Sequence, residues 1–186
     1  MSLELLRRQF TVKTYQKMIE AGIFTEEDRV ELIRGEIIEM TPIGRRHAAY
    51  VNRLVTLFTG CLGNRAIVAP QNPVELGERS QPQPDVALLQ PRPDFYEAVY
   101  PQPENIFLLV EVADTAVESD RLVKIPLYAE EGILEVWLVD INEECVEVYR
   151  QPAPAGYQEV RKCRRGDSLS LLAFPDITII ADEVLG

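Results

Sequence analysis

Two acids in the middle of the chain stand where acids are uncommon. Asp85 follows Gln83-Pro84 and opens the apolar run Val86-Ala87-Leu88-Leu89. Proline tolerates the start of a strand but not its centre, so Asp85 is expected at a strand end, reached by solvent through the adjoining loop. Glu111 lies inside Ile106–Val112, a run apolar on both faces, as in a central strand covered by helices. An ionised carboxylate there is costly unless it is paired or holds a cation. On neighbouring strands the two acids could hold a hard divalent cation, Mg2+ or Mn2+, through oxygen ligands. Such an ion neutralises charge developing on phosphate and makes a bound water acidic enough to attack. Two plainer readings stay open: a polar strand terminator at Asp85, and a buried ion pair with an arginine at Glu111.

This chemistry also calls for a protein cation beside the metal. Residues two apart share a strand face, and the position two beyond Glu111 is Ala113. The next lysine is Lys124, one helical turn after Asp120. Lys124 reaches the acids if its helix folds back over the strand end. Otherwise Asp120 and Lys124 form a surface salt bridge worth little.

The elements that must position these groups are legible from pattern. A short helix is expected over 14–21 and a tight hairpin over 30–40 around Arg34-Gly35. A helix over 44–62 puts Tyr50, Leu54, Leu57, Phe58 and Cys61 on one face and stops at Gly63-Asn64. Strands are expected over 66–76 (bent at Pro70 and Pro73), 85–89, 106–112, 134–140, 146–150, 157–163 and 176–180, with a polar loop over 77–84. A helix over 119–131 is kinked or restarted by Pro126. Strands outnumber helices, so the expectation is an α/β protein: one mixed central sheet flanked by helices, within a single domain over 1–186. Trp137 is expected in the core or an interface. Apolar side chains left exposed on the 134–140 hairpin would suit a homodimer.

The 186 residues suffice for one substantial core. No apolar run approaches the roughly 20 residues of a membrane span, and MSLELLRRQF is too short and too broken by Glu4 for a signal peptide, which points to the cytoplasm. Cys61, Cys145 and Cys163 include no CxxC pair and read as reduced thiols; one histidine in the chain argues strongly against a Cys/His zinc site. A net charge of −11 argues against extensive contact with nucleic acid, although a carboxylate site adds negative charge that a metal offsets locally. Arg45-Arg46 and Arg161-Lys162 with Arg164-Arg165 are the basic clusters, read as exposed charge.

The ordered set Pro84-Asp85, then Glu111-Val112-Ala113, resembles the PD-(D/E)XK nuclease pattern with the strand lysine missing. The runs PQPDVALL and LLVEVADTAVESDRLVKIPLYAEEGILEVWLVD, with VELIRGEIIEMTPIGRRH upstream, are more closely similar to the putative restriction endonuclease family common in cyanobacteria. The likeness covers about residues 10–180 and implies a restriction-endonuclease-like fold, Mg2+ or Mn2+ as cofactor and DNA as partner. It also implies Asp85 and Glu111 as metal ligands, Lys124 as the catalytic lysine moved from strand to helix, and Glu31 as an acid touching the metal through water. His47 matches a family position but, as a lone histidine at a helix start, reads as packing or capping. Tyr128 reads as packing the helix on the sheet. The function these features imply is metal-dependent DNA hydrolysis. Ala113 and the net charge leave a second reading, a nuclease fold that binds nucleic acid or protein without cutting. The acidic surface leaves a third, hydrolysis of a small phosphorylated substrate.

Overall fold

The computed structural model describes residues 7–25, 27–114 and 117–186. Its elements run α1 (Val12–Glu20), β1 (Val30–Ile33), β2 (Glu36–Glu39), α2 (Arg45–Leu62), β3 (Ile67–Pro70), β4 (Val86–Leu89) and β5 (Ile106–Ala113). A helical turn α3 (Val117–Ser119) leads through a π-helical turn (Asp120–Lys124) into α4 (Ile125–Glu130). Then come β6 (Glu135–Asp140), β7 (Cys145–Ala153), β8 (Gly156–Cys163), β9 (Ser168–Leu171), β10 (Phe174–Ile180) and α5 (Ala181–Leu185).

Six strands form the central sheet in the order β3-β4-β5-β6-β7-β8. Only β5 and β6 run parallel, because the helical segment between them carries the chain back across the sheet. The sheet is therefore mixed, as expected. Its two faces bury different residues of the same strands. Leu108, Val110 and Val112 pack with Val86, Leu88, Trp137 and the Tyr50–Leu62 face of α2. Leu109 and Ala113 pack with Ala87, Leu138 and the Ile125, Leu127 and Tyr128 side chains of α4. Strand alternation thus assigns Glu111, between Val110 and Val112, to the face under α4.

Several expectations need correction. The strand expected over 66–76 ends at Pro70, since Gln71 takes a positive φ of 51° and turns the chain. The 77–84 loop is not merely polar surface. Ser80 and Gln81 are buried, and Gln81 exchanges backbone hydrogen bonds with Leu32 of β1. β9 and the short α5 carried no readable signal: β9 is four residues of alternating burial and pairs only with β10. The 134–140 hairpin offers no apolar face to a second copy. β6 is an interior strand, buried at every position with Trp137 fully enclosed, and only Leu134 beside it is exposed.

The helix expected over 119–131 begins at Val117 and is not one regular α-helix. The Ile125 N–H bonds to the Asp120 carbonyl, five residues back, before α-helical spacing resumes with Pro126 in the first turn of α4. Proline has no N–H to give to residue 122, so the irregular hydrogen bonding is concentrated just upstream of it.

A candidate metal-dependent active site

The candidate site forms where four separate segments meet. The first is β1–β2, closed by Arg34 (φ 47°) and Gly35 (φ 82°), the two positive values of a type I′ turn. Gly35 is required there for a second reason: a Cβ would lie 2.8 Å from Gln9 Cβ and 3.1 Å from the Phe10 carbonyl oxygen. Arg34 pins the hairpin to α4 through Glu130 at 2.8 Å, and its backbone N–H bonds Ser80 Oγ at 2.9 Å. So held, Glu31 is buried, and its Oε2 accepts from the Gln83 N–H at 3.0 Å.

The second segment is the end of β4. Val86 pairs with Val110, and one further step of that register brings Asp85 beside Glu111. Asp85 Oδ2 accepts from the Val112 N–H at 2.8 Å and lies 3.0 Å from His47 Nε2. Both bonds fall on one oxygen, and among the described residues Oδ1 takes none. His47, three residues into α2, is raised in pKa chiefly by the bond to Asp85, against the opposing effect of burial.

The third and fourth segments are β5 and the π-helical turn. Glu111 is 2% exposed. Its Oε1 accepts from the Tyr128 hydroxyl at 2.5 Å, and its Oε2 lies 3.3 Å from Lys124 Nζ. Lys124 Nζ is also 3.3 Å from Glu31 Oε2. Burial would weaken the Lys124 ammonium, but Glu111, Glu31, Asp120 and Asp85 surround it and hold its pKa above the usual lysine value. Burial pushes Glu111 well above the ordinary carboxylate range, Lys124 opposes the shift, and Asp120 and Asp85 add to it. Burial also raises Asp120, to about 6. An excess of acids over cations in low dielectric has this signature.

Lys124 does fold back over the strand end, and its ion pairs go to Glu31 and Glu111 rather than to Asp120. Two stems hold the turn in place. Tyr128, fully buried, closes one side. On the other, Arg121 Nη2 reaches Asp140 at 2.9 Å and Glu147 at 2.8 Å, tying the turn to β6 and β7. The cleft above the acids has a volume of about 310 Å3, and Glu31, Asp85, Glu111, Asp120, Lys124 and His47 all line it.

The four residues expected at the site therefore come together. His47, read as packing, also lines the cleft and bonds Asp85. Pattern could not reveal this, because a lone histidine near a helix start has no spacing to betray a partner 38 residues away. Gln83, whose backbone steadies Glu31, was equally invisible.

Among the described residues no three His, Cys, Asp or Glu side chains form a ready-made metal cage. Mg2+ does not require one: it binds one or two carboxylates and keeps waters or phosphate oxygens as its other ligands. The Asp85 oxygen left without a bond beside buried Glu111 fits this mode of binding.

A mixed sheet between helices, with Asp85 at the start of β4 beside Glu111 of β5, defines a restriction-endonuclease-like fold. The chain matches the Uma2 family, described as "Putative restriction endonuclease", over residues 12–182, and belongs to it. It is also similar in structure to a putative nuclease belonging to DUF820 from Anabaena variabilis ATCC 29413, with a TM-score of 0.74 and 17% sequence identity. That superposition covers 95% of this chain and 97% of the other. No curated protein matches the sequence.

Proposed function

We propose that the protein is an endonuclease that hydrolyses phosphodiester bonds in DNA with Mg2+ or Mn2+. The observation carrying this reading is the convergence of Glu31, Asp85, Glu111 and Lys124 from four segments on one cleft. Asp85 and Glu111 would hold the cation and Glu31 would touch its water; the ion supplies charge neutralisation at phosphate and an acidified water. The chain's own groups do the positioning. The Val112 N–H and His47 fix Asp85 through one oxygen and leave the other without a donor among the described residues. Lys124 donates to Glu111 and forms an ion pair with Glu31, both at 3.3 Å. Its remaining N–H donors can orient a water or donate to a phosphate oxygen as negative charge grows there.

The test is cleavage of a panel of DNA substrates with Mg2+ or Mn2+, with Asp85→Ala as control. Parent activity, lost in the variant, is the expected result; no cleavage, or equal cleavage by the variant, overturns the reading. The four proposed site residues come from one chain, so a monomer would suffice to cut one strand. A homodimer would pair two clefts for two strands, and sedimentation of the protein with and without DNA separates these cases.

The net charge of −11 and the absent strand lysine favour a second reading, a nuclease fold that binds nucleic acid or protein without cutting. Calorimetric titration with Mn2+ distinguishes them. A hydrolase shows a divalent-ion site that Glu111→Ala removes, and a binding module shows none.

A further inference from the structure

The β1–β2 hairpin has two faces with apolar residues; one is covered by α1, and the other is buried at Glu31 and Ile33 but open at Ile38. Val30, Leu32 and Ile37 pack against Val12 and Tyr15 of α1. Glu31, Ile33, Ile38 and Met40 line the cleft from the other side. Glu31 pairs with Ile38 across the hairpin, so acid and isoleucine stand side by side. Ile38 is 39% exposed, and Ile43, also lining the cleft, is 42% exposed. A bare aliphatic wall thus rises directly from the carboxylate floor. Such a wall has no hydrogen bond to offer; it can only be covered by a flat or apolar surface. A nucleotide joins a flat face to a phosphate in this way.

The cations nearby fit the same ligand. Arg29 lines the cleft, steadied by the Thr41 carbonyl at 2.9 Å. Arg45 is exposed at the start of α2 and makes no hydrogen bond or ion pair among the described residues. Arg46 is occupied by the Ile141 carbonyl, Asn142 and Asp114. Duplex binders commonly engage roughly 6–10 phosphates. Arg29, with Arg45 next to the cleft-lining Gly44, falls short of that. A volume of about 310 Å3 is also at the small end of ligand sites, suited to one residue of a strand. A single strand needs fewer phosphate contacts and presents unstacked bases to an apolar platform.

We propose that the cleft selects an unpaired nucleotide of single-stranded DNA, with the base against Ile38, Met40 and Ile43 and flanking phosphates at Arg29 and Arg45. This rests on the nuclease reading and specifies its substrate. The test is fluorescence anisotropy of the whole protein with a labelled single strand of about twelve nucleotides and with its duplex, in Ca2+ to supply a hard cation. Single-strand binding is expected to be about tenfold tighter than duplex binding, a difference of about 1.4 kcal/mol. The Ile38→Ala/Ile43→Ala variant alters only exposed positions and should lose that preference, while Ile43→Trp should strengthen it by adding a ring. Arg45→Ala should flatten the slope of log affinity against log salt by about 0.7, the share of one phosphate on a single strand. Equal or tighter duplex binding, or an unchanged preference in the double-alanine variant, overturns this proposal and leaves the nuclease reading standing. Failure to bind either DNA overturns the proposal directly, and the cleavage assay then decides the nuclease reading separately.

Discussion

Lys124 is the counter-ion on which the site rests. Its ammonium lies 3.3 Å from both Glu31 and Glu111; both acids are buried and Lys124 is largely so. Removing it leaves two carboxylates facing each other in low dielectric. Lys124→Ala should therefore lose about 3–5 kcal/mol in urea denaturation without metal, the usual result of breaking a buried pair. Added Mn2+ should recover part of that loss, because a divalent ion can replace the missing charge; a loss unaffected by metal would place no cation site here. Asp120 permits a pH prediction. Its folded-state pKa of about 6 lies above the ordinary 3.8, so the folded chain binds this proton more tightly than the unfolded chain does. Stability then falls as pH rises from about 4 to 6, and the loss is complete above that range. Asp120→Asn cannot ionise and should flatten this decline. It should match the parent at about pH 4 and exceed it above about pH 6 by an amount on the order of 2–3 kcal/mol. Urea midpoints across that range measure the difference.

At the level of elements, the π-helical turn decides where these residues point. Its one extra residue per turn lets Asp120 and Lys124 line the cleft while Arg121 reaches back to Asp140 and Glu147. Asp140 is buried and Glu147 nearly so, so Arg121→Ala strands two acids as well as releasing the turn. A loss of about 3 kcal/mol is expected by chemical denaturation, together with a fall in kcat for DNA cleavage that exceeds any change in KM. Equal stability would show that the turn is held by α4 packing alone. The hairpin is the other positioning element. Gly35→Ala places a Cβ against Gln9 and the Phe10 carbonyl oxygen at a positive φ, and it should lower Tm and weaken metal binding together.

For the whole molecule, the proposed cation would link acidity to stability. The chain carries −11, yet many of its basic side chains are engaged in ion pairs: Arg34, Arg65, Arg92, Arg121, Arg150, Lys162, Arg164 and Arg165 all have acidic partners. Of the basic side chains without an acidic partner among the described residues, only Arg29 lines the cleft, so little cationic surface faces a polyanion there. A divalent ion that binds only the folded chain should stabilise it by about 2.7 kcal/mol at a hundred times its Kd, and so raise Tm well beyond NaCl at equal ionic strength. Glu111→Gln should abolish this excess, read by thermal denaturation.

Much of the molecule was determined locally and so could be read from sequence. Hydrophobic period marked the central strands and α2, and Arg34-Gly35 marked the hairpin because only special backbone angles fit its turn. An acid inside an apolar strand announced Glu111, since burying a charge demands a partner. The partner's identity was not local. Ala113 removed the expected strand lysine, and nothing in the spacing to Lys124 shows a π-helical turn, which is set by Pro126 on one side and the Arg121 clamp on the other. His47 meets Asp85 only because α2 packs on one sheet face with its first turn at the end of β4. The exposure of Ile38 likewise depends on which hairpin face α1 covers, for both faces are apolar in sequence. Residue types and strand periods came from the chain itself; which charges neutralise one another was decided by tertiary packing, because electrostatic pairing in a buried site depends on distances between segments far apart in sequence.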